Sequence, residues 1–174
     1  MKSWRILKEL LDIDQLRDFV REQAKNHYGV QYQEDLYAYI EDNQVTFYIF
    51  TNVGGNSWLD DDHFTLWRFK PDYSDIYSDF RSDFADVWEL LKYMEEYYNV
   101  VVDIDKIKEE NGIDDDDQDA LQEVIDEYII DNYGDEIRAD CIDEIVDEEV
   151  NGIVEWIMER INQEIRCKEE EVEN

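Results

Sequence analysis

Two runs of alternating side chains, separated by a pair of turn-forming residues, constrain the fold of this chain most. Leu36, Ala38 and Ile40 alternate with Tyr37 and Tyr39, and Val45, Phe47 and Ile49 alternate with Thr46, Tyr48 and Phe50. A period of two places each set on one face of a pleated strand. Asp42 and Asn43 stand between the runs. Both residue types tolerate positive φ, so the sequence predicts a tight hairpin. Gly54, Gly55 and Asn56 break the second run, and Asp60, Asp61 and Asp62 are expected at a loop tip before a third alternating run over 63–70. Pro71, the only proline, closes that run. A small antiparallel sheet of about three strands is the simplest result.

Helical spacing flanks this sheet on both sides. Trp4, Leu7 and Leu11, then Ile13, Leu16, Phe19 and Val20, predict one or two helices over 3–26, with Asp12 or Asp14 as a cap and Gly29 ending the region. Residues 72–80 mix aromatic and acidic side chains without a sustained period, which predicts an irregular or short helical connection. Ser82 reads as the N-cap of a helix carrying Phe84, Val87, Trp88, Leu91 and Tyr98. Val100, Val101 and Val102 predict a short strand or buried extended segment, followed by a short helix around Ile104 and Ile107 that stops near Asn111 and Gly112.

Beyond Gly112 the character changes. Residues 119–133 set Leu121, Val124, Ile125, Tyr128 and Ile129 on one stripe, and residues 135–149 set Ile137, Cys141, Ile142, Ile145 and Val146 on another, with Gly134 separating them. A last helix carries Val150, Ile153, Val154, Ile157, Ile161 and Ile165, either separate or continued from the one before through Gly152; residues 169–174 should fray. The expected class is α+β: N-terminal helices and a small antiparallel sheet within 1–100, and an acidic helical part over 101–174, packed together as one compact unit.

The acidic character is extreme and uneven. The chain has 48 Asp and Glu against 16 Lys and Arg, a net charge of −32 over 174 residues. Residues 1–100 carry −10 and residues 101–174 carry −22, whereas residues 1–33 are nearly balanced. Disorder is not the explanation, because 14% of the chain is aromatic and 43% is apolar. Such a field repels nucleic acid and anionic membranes and attracts basic surfaces. No apolar run reaches the length of a signal core or membrane span, so a cytoplasmic location is expected. Cys141 and Cys167 have no paired spacing and read as free thiols.

Catalytic candidates are poor, and no cofactor is expected. His27 and His63 are the only histidines, without a Ser/His/Asp or Cys/His context; His27 reads as a helix cap. The group Asp61, Asp62 and His63 reads as an acidic loop before a metal site. The aspartates at 12 and 14, at 103 and 105, and at 114–117 lack the glycine and glutamate spacing of a calcium loop. Loose attraction of divalent cations is all they imply.

The informative constellation is the acidic face after Gly112. Asp119, Glu123, Asp126 or Glu127, and Asp131 follow helical spacing opposite the apolar stripe, as do Asp140, Asp143 or Glu144, and Asp147. Like charges at this spacing cost a helix a few tenths of a kcal/mol per pair, roughly 0.2–0.5 each. Asp114, Asp115, Asp116 and Asp117 precede a helix, where the macrodipole favours them; Asp143, Glu144, Asp147, Glu148 and Glu149 sit late in theirs, where it does not. The expected partner-binding residues are therefore Asp114, Asp115, Asp116, Asp117, Asp119, Glu123, Asp126, Glu127, Asp140, Asp143, Glu144, Asp147 and Glu148. Trp58, Asp60, Asp61 and Asp62 form a secondary contact.

In size, charge, acidic helices and lack of catalytic residues the chain resembles the acidic DNA-mimic anti-defence proteins of phages and mobile elements, of anti-CRISPR and anti-restriction type. The resemblance is one of overall character and covers the second half best. It implies a stoichiometric, non-enzymatic inhibitor in the bacterial cytoplasm that occupies the nucleic-acid groove of a basic defence nuclease, a CRISPR effector or a restriction enzyme. An immunity protein neutralising a basic nuclease toxin uses the same electrostatics, and a metal-dependent hydrolase built on the acidic loops is the alternative from another class. Any homodimer should use apolar surface away from the acidic face.

Overall fold

Asp42 and Asn43 both adopt positive φ, 51° and 59°, the backbone of a type I′ turn. They join β1 (Glu34–Glu41) to β2 (Gln44–Thr51), and β3 (His63–Phe69) pairs with the other edge of β1, giving an antiparallel sheet in the order β2-β1-β3. The helices are α1 (Trp4–Leu10), α2 (Ile13–His27), α3 (Ile76–Ser82), α4 (Val87–Tyr98), α5 (Ile104–Asn111) and α6 (Gln118–Glu173). The α+β class and the three-stranded sheet agree with the sequence reading. This computed structural model describes residues 3–27, 33–51, 63–70 and 75–173. Gly29, Gly54, Gly55, Asn56, Trp58, Asp60, Asp61, Asp62 and Pro71 lie outside the described residues, as does the side chain of His27.

The chain forms two units, and their limits do not follow the expected division into 1–100 and 101–174. Met1–Tyr73 and Asp143–Asn174 make the first, and Ser74–Ile142 makes the second. In the first unit, alternation sorts the sheet into two faces. Leu36 and Ala38 are fully buried on the face that α1 and α2 cover, where the Trp4 ring meets Phe64 edge-on at 4.9 Å and Phe19 meets Phe47 at 5.8 Å. On the other face Tyr37 stacks on Tyr48 at 5.4 Å, and His63 packs between Tyr39 and Tyr48.

A bulge in β3 places the one buried charge among the described residues. Leu36 faces Trp67 while Tyr37 faces Thr65, so Leu66 is the extra residue. The register it sets brings Arg68 opposite Asp35, which is 2% exposed. The Asp35 carboxylate accepts from Arg68 Nε at 2.7 Å and Nη2 at 3.3 Å, and from the Tyr37 hydroxyl at 3.2 Å.

Helix α2 lies antiparallel to the later part of α6. Arg17 Nε donates to Asn151 at 3.2 Å, Arg21 pairs with Asp147 at 3.5 Å, and Lys25 pairs with Asp143 at 2.7 Å. Each step advances one helix by four residues and retreats the other by four. Arg5 also pairs with Glu169. Beneath this ladder Leu16, Val20, Val146, Val150 and Ile157 have no solvent exposure.

The second unit has its own core, in which Leu90, Met94, Ile125, Ile129 and Ile137 are fully buried. Ser82 does not cap α4; it ends α3, and Asp86 caps α4 by accepting from the amides of Trp88 and Glu89, both at 3.0 Å. Side chains satisfy the backbone in between: Arg81 donates to the Phe84 carbonyl at 3.0 Å, and the Ala85 amide donates to Glu89 at 2.9 Å. Residues 100–102 are not a strand. Asn99 takes the left-handed conformation that closes α4, after which Val100 is buried and Val101 is 80% exposed. Gly112, also left-handed, ends α5 as expected.

The helices expected after Gly112, with Gly134 as a separator and Gly152 as either a break or a continuation, are one. Gly134 and Gly152 both continue α6, which runs through to Glu173 instead of fraying after residue 168. A helical glycine costs only about 1 kcal/mol, less than the buried apolar stripes on either side contribute. At Gly134 a Cβ would meet the Ile130 side chain at 3.2 Å, whereas Gly152 has open space around it. Gly152→Ala is therefore expected to raise stability by about 0.5–1 kcal/mol, measured by urea denaturation.

Candidate functional site

The second unit holds 23 Asp and Glu against 5 Lys and Arg, a net of −18 in 69 residues, while the first unit carries −14 in 105. Residues 109–137 contain 13 carboxylates and no lysine or arginine at all. Helix α6 orders this stretch. Asp117 starts the helix by accepting from the Ala120 amide at 3.2 Å, and Leu121, Ile125 and Ile129 turn inward. Asp119, Glu123, Glu127 and Asp131 stand exposed on the outer side. Successive members are four residues apart, about 6 Å along the axis, and none has a cationic partner among the described residues. Three like-charged pairs at this spacing cost roughly 1 kcal/mol.

The expected contact residues divide into two groups. Asp114, Asp116, Asp119, Glu123 and Glu127 are exposed and unpaired among the described residues of the second unit, and Glu144 and Glu148 are so in the first. The others are engaged within the chain. Asp126 is held by Arg81 through two hydrogen bonds, at 2.6 and 3.2 Å, and turns partly inward. Asp115 pairs with Lys108 at 3.3 Å, and Asp140 accepts from the Tyr98 hydroxyl at 2.8 Å. Asp143 and Asp147 serve the ladder with α2. Their placement needs no external partner: α6 continues for another 24 residues or more, so they are not near a helix end, and the dipole does not oppose them. Asp131 and Glu136, both exposed, extend the unpaired set. The unbroken absence of Lys and Arg over 109–137 is the signal that marks them.

Among the described residues, no group of three or more His, Cys, Asp or Glu side chains is placed to hold a metal ion. Cys141 and Cys167 are not joined in a disulfide. No helix of the described residues is long and apolar enough to cross a membrane.

The tyrosines of the second unit give it an alkaline limit. Burial, and then the hydrogen bond to Asp140, push the Tyr98 phenol well above its ordinary range; burial also raises Tyr77 and Tyr133. A phenol whose folded pKa exceeds its unfolded value contributes stability that is complete below the unfolded pKa, about 10, and is lost as pH rises through the folded one. Alkaline titration is expected to show phenolate absorbance and loss of helix appearing together. Tyr98→Phe should uncouple part of that change.

No family model matches this chain, and no curated protein or solved structure compared with it matches either.

Proposed function

We propose that the chain is a stoichiometric protein inhibitor that binds the nucleic-acid groove of a basic defence nuclease, with the exposed acids of α6 in place of phosphates. The observation that carries this reading is the cation-free ridge of Asp119, Glu123, Glu127 and Asp131, continued at the helix start by Asp114 and Asp116. A helix tolerates such a row at a cost in stability, and its carboxylates are free for charge-assisted hydrogen bonds to a partner's Lys and Arg. The field of the unit would steer encounter with a basic groove. A CRISPR effector or restriction enzyme in the bacterial cytoplasm has such a groove. The proposed role requires no catalysis.

The test is competition against DNA for a panel of purified defence nucleases, with the triple variant Asp119→Lys, Glu123→Lys and Glu127→Lys alongside. Reversal lowers the net charge of the unit from −18 to −12 and so eases its overall self-repulsion, and the variant should keep its circular dichroism. Its affinity is expected to fall at least about 100-fold, given coupling energies upward of about 1.5 kcal/mol for close charge pairs across an interface, and the remaining affinity should depend less steeply on salt. Equal inhibition by the variant would overturn the site, and inhibition of no nuclease would overturn the function.

A further inference from the structure

The sign of the surface reverses at a cleft in the first unit. It has a volume of ≈ 790 Å³ and opens between β3 and α6, walled by Trp67, Ile153 and Trp156 and bordered by Arg68, Lys70 and Arg160, with Glu149 as the only acid among the described residues of its lining. That volume lies within the range of small-molecule sites, roughly 300–1,000 Å³. The bulge in β3 sets this wall: the register after Leu66 directs Trp67 to the ring of Trp156, edge to face at 4.7 Å.

Arg160 is the telling residue. Its guanidinium lies 5.7 Å from the centre of the Trp156 ring, and none of its nitrogen donors has a hydrogen-bond or carboxylate partner among the described residues. In a chain with three acids for every base, an arginine held by an aromatic ring and by no acid is an exception. Arg68 commits only Nε and Nη2 to Asp35, so its Nη1 is also open to an acceptor. Trp156 stays 46% exposed although its edge is packed, leaving apolar ring surface at the cleft.

We infer that this cleft binds a small planar aromatic anion of the mononucleotide class, its ring against Trp67 and Trp156 and its phosphate at Arg160, with Arg68 beside it. Planar guanidinium forks suit phosphate oxygens, and indole surfaces suit a flat heterocycle. The size of the ligand follows from electrostatics. A nucleic-acid strand would meet the net −14 of the whole unit. A single small anion meets chiefly the local cations, since charges beyond about 8 Å are screened at physiological salt.

The experiment is calorimetric titration of the full chain with adenosine 5′-monophosphate, adenosine and inorganic phosphate, repeated on Arg160→Gln, Arg160→Lys and Trp156→Ala after circular dichroism confirms folding. The monophosphate is expected to bind more tightly than either fragment and to quench tryptophan fluorescence. Arg160→Gln should weaken it about tenfold or more while leaving adenosine unchanged, the loss typical of one hydrogen bond to a charged group. Arg160→Lys should recover part of that loss. Trp156→Ala should weaken both the monophosphate and adenosine. No heat with the monophosphate at millimolar concentration, equal binding of phosphate alone, or equal affinity of Arg160→Gln would each overturn the assignment.

Discussion

Arg68→Met is expected to cost the protein about 3–5 kcal/mol of folding stability, because it leaves the Asp35 carboxylate buried without its cation. Asp35 is 2% exposed on the central strand, so it cannot turn to water without unpairing β1. The side-chain donor that remains is the Tyr37 hydroxyl at 3.2 Å, which stabilises an anion far less than a two-pronged guanidinium does. The double variant Asp35→Leu with Arg68→Met should recover much of the loss, since it removes the buried charge, although the Arg68 side chain is half exposed and its apolar replacement gains little there. Urea denaturation of the four proteins closes the cycle. A single Arg68→Met variant within about 1 kcal/mol of the parent would show that the pair is as dispensable as a surface salt bridge.

Ile129→Ala should be nearly as damaging, by about 2–5 kcal/mol, through the lost transfer energy and the cavity left behind. Ile129 has no solvent exposure and sits in the cluster with Leu90, Met94 and Ile125, where side chains from α3, α4, α5 and α6 meet. The unit that holds it has the least reserve. At net −18 in 69 residues its compact state is opposed by its own charge. Added salt should therefore restore part of the stability lost in Ile129→Ala, by screening repulsion that the smaller core no longer outweighs. The same salt should weaken any complex formed through the acidic ridge. Opposite responses of folding and binding to ionic strength would separate the two effects, and a variant as stable as the parent would place Ile129 outside the core.

How much of this was legible in the sequence depended on the range of the interactions. The hairpin was plain, because alternation and the Asp42-Asn43 turn are local and point the same way. The helix stops at Asn99 and Gly112 are equally local, although only the second was anticipated. Gly134 does not separate two helices because a glycine's propensity penalty is small beside the burial of Ile129, Ile137, Val146 and Val150 along one helix, and the same balance selects continuation at Gly152. The pairing of α2 with α6 was hidden by sequence separations as large as 134 residues. Yet Arg17, Arg21 and Lys25 repeat every four residues, as do Asp143, Asp147 and Asn151. That hidden pairing made Asp143 and Asp147 look available to a partner. The ridge from Asp119 to Asp131 stays exposed, and among the described residues no cation pairs with it. The cleft at Trp156 was not legible, since β3 and α6 supply its walls from about 90 residues apart.

The order of the two units along the chain has a consequence for biosynthesis. Ser74–Ile142 is contiguous and can fold as soon as it leaves the ribosome, whereas the other unit must wait for its second half. Leu16, Val20 and the sheet emerge first, but the residues that complete their core, from Val146 to Ile161, follow some 80 residues later. At a synthesis rate of about 5–20 residues per second this delay is roughly 4–16 s. During that interval the N-terminal apolar surface is open to neighbouring chains, and the strongly charged middle unit, once folded, opposes their approach by like-charge repulsion.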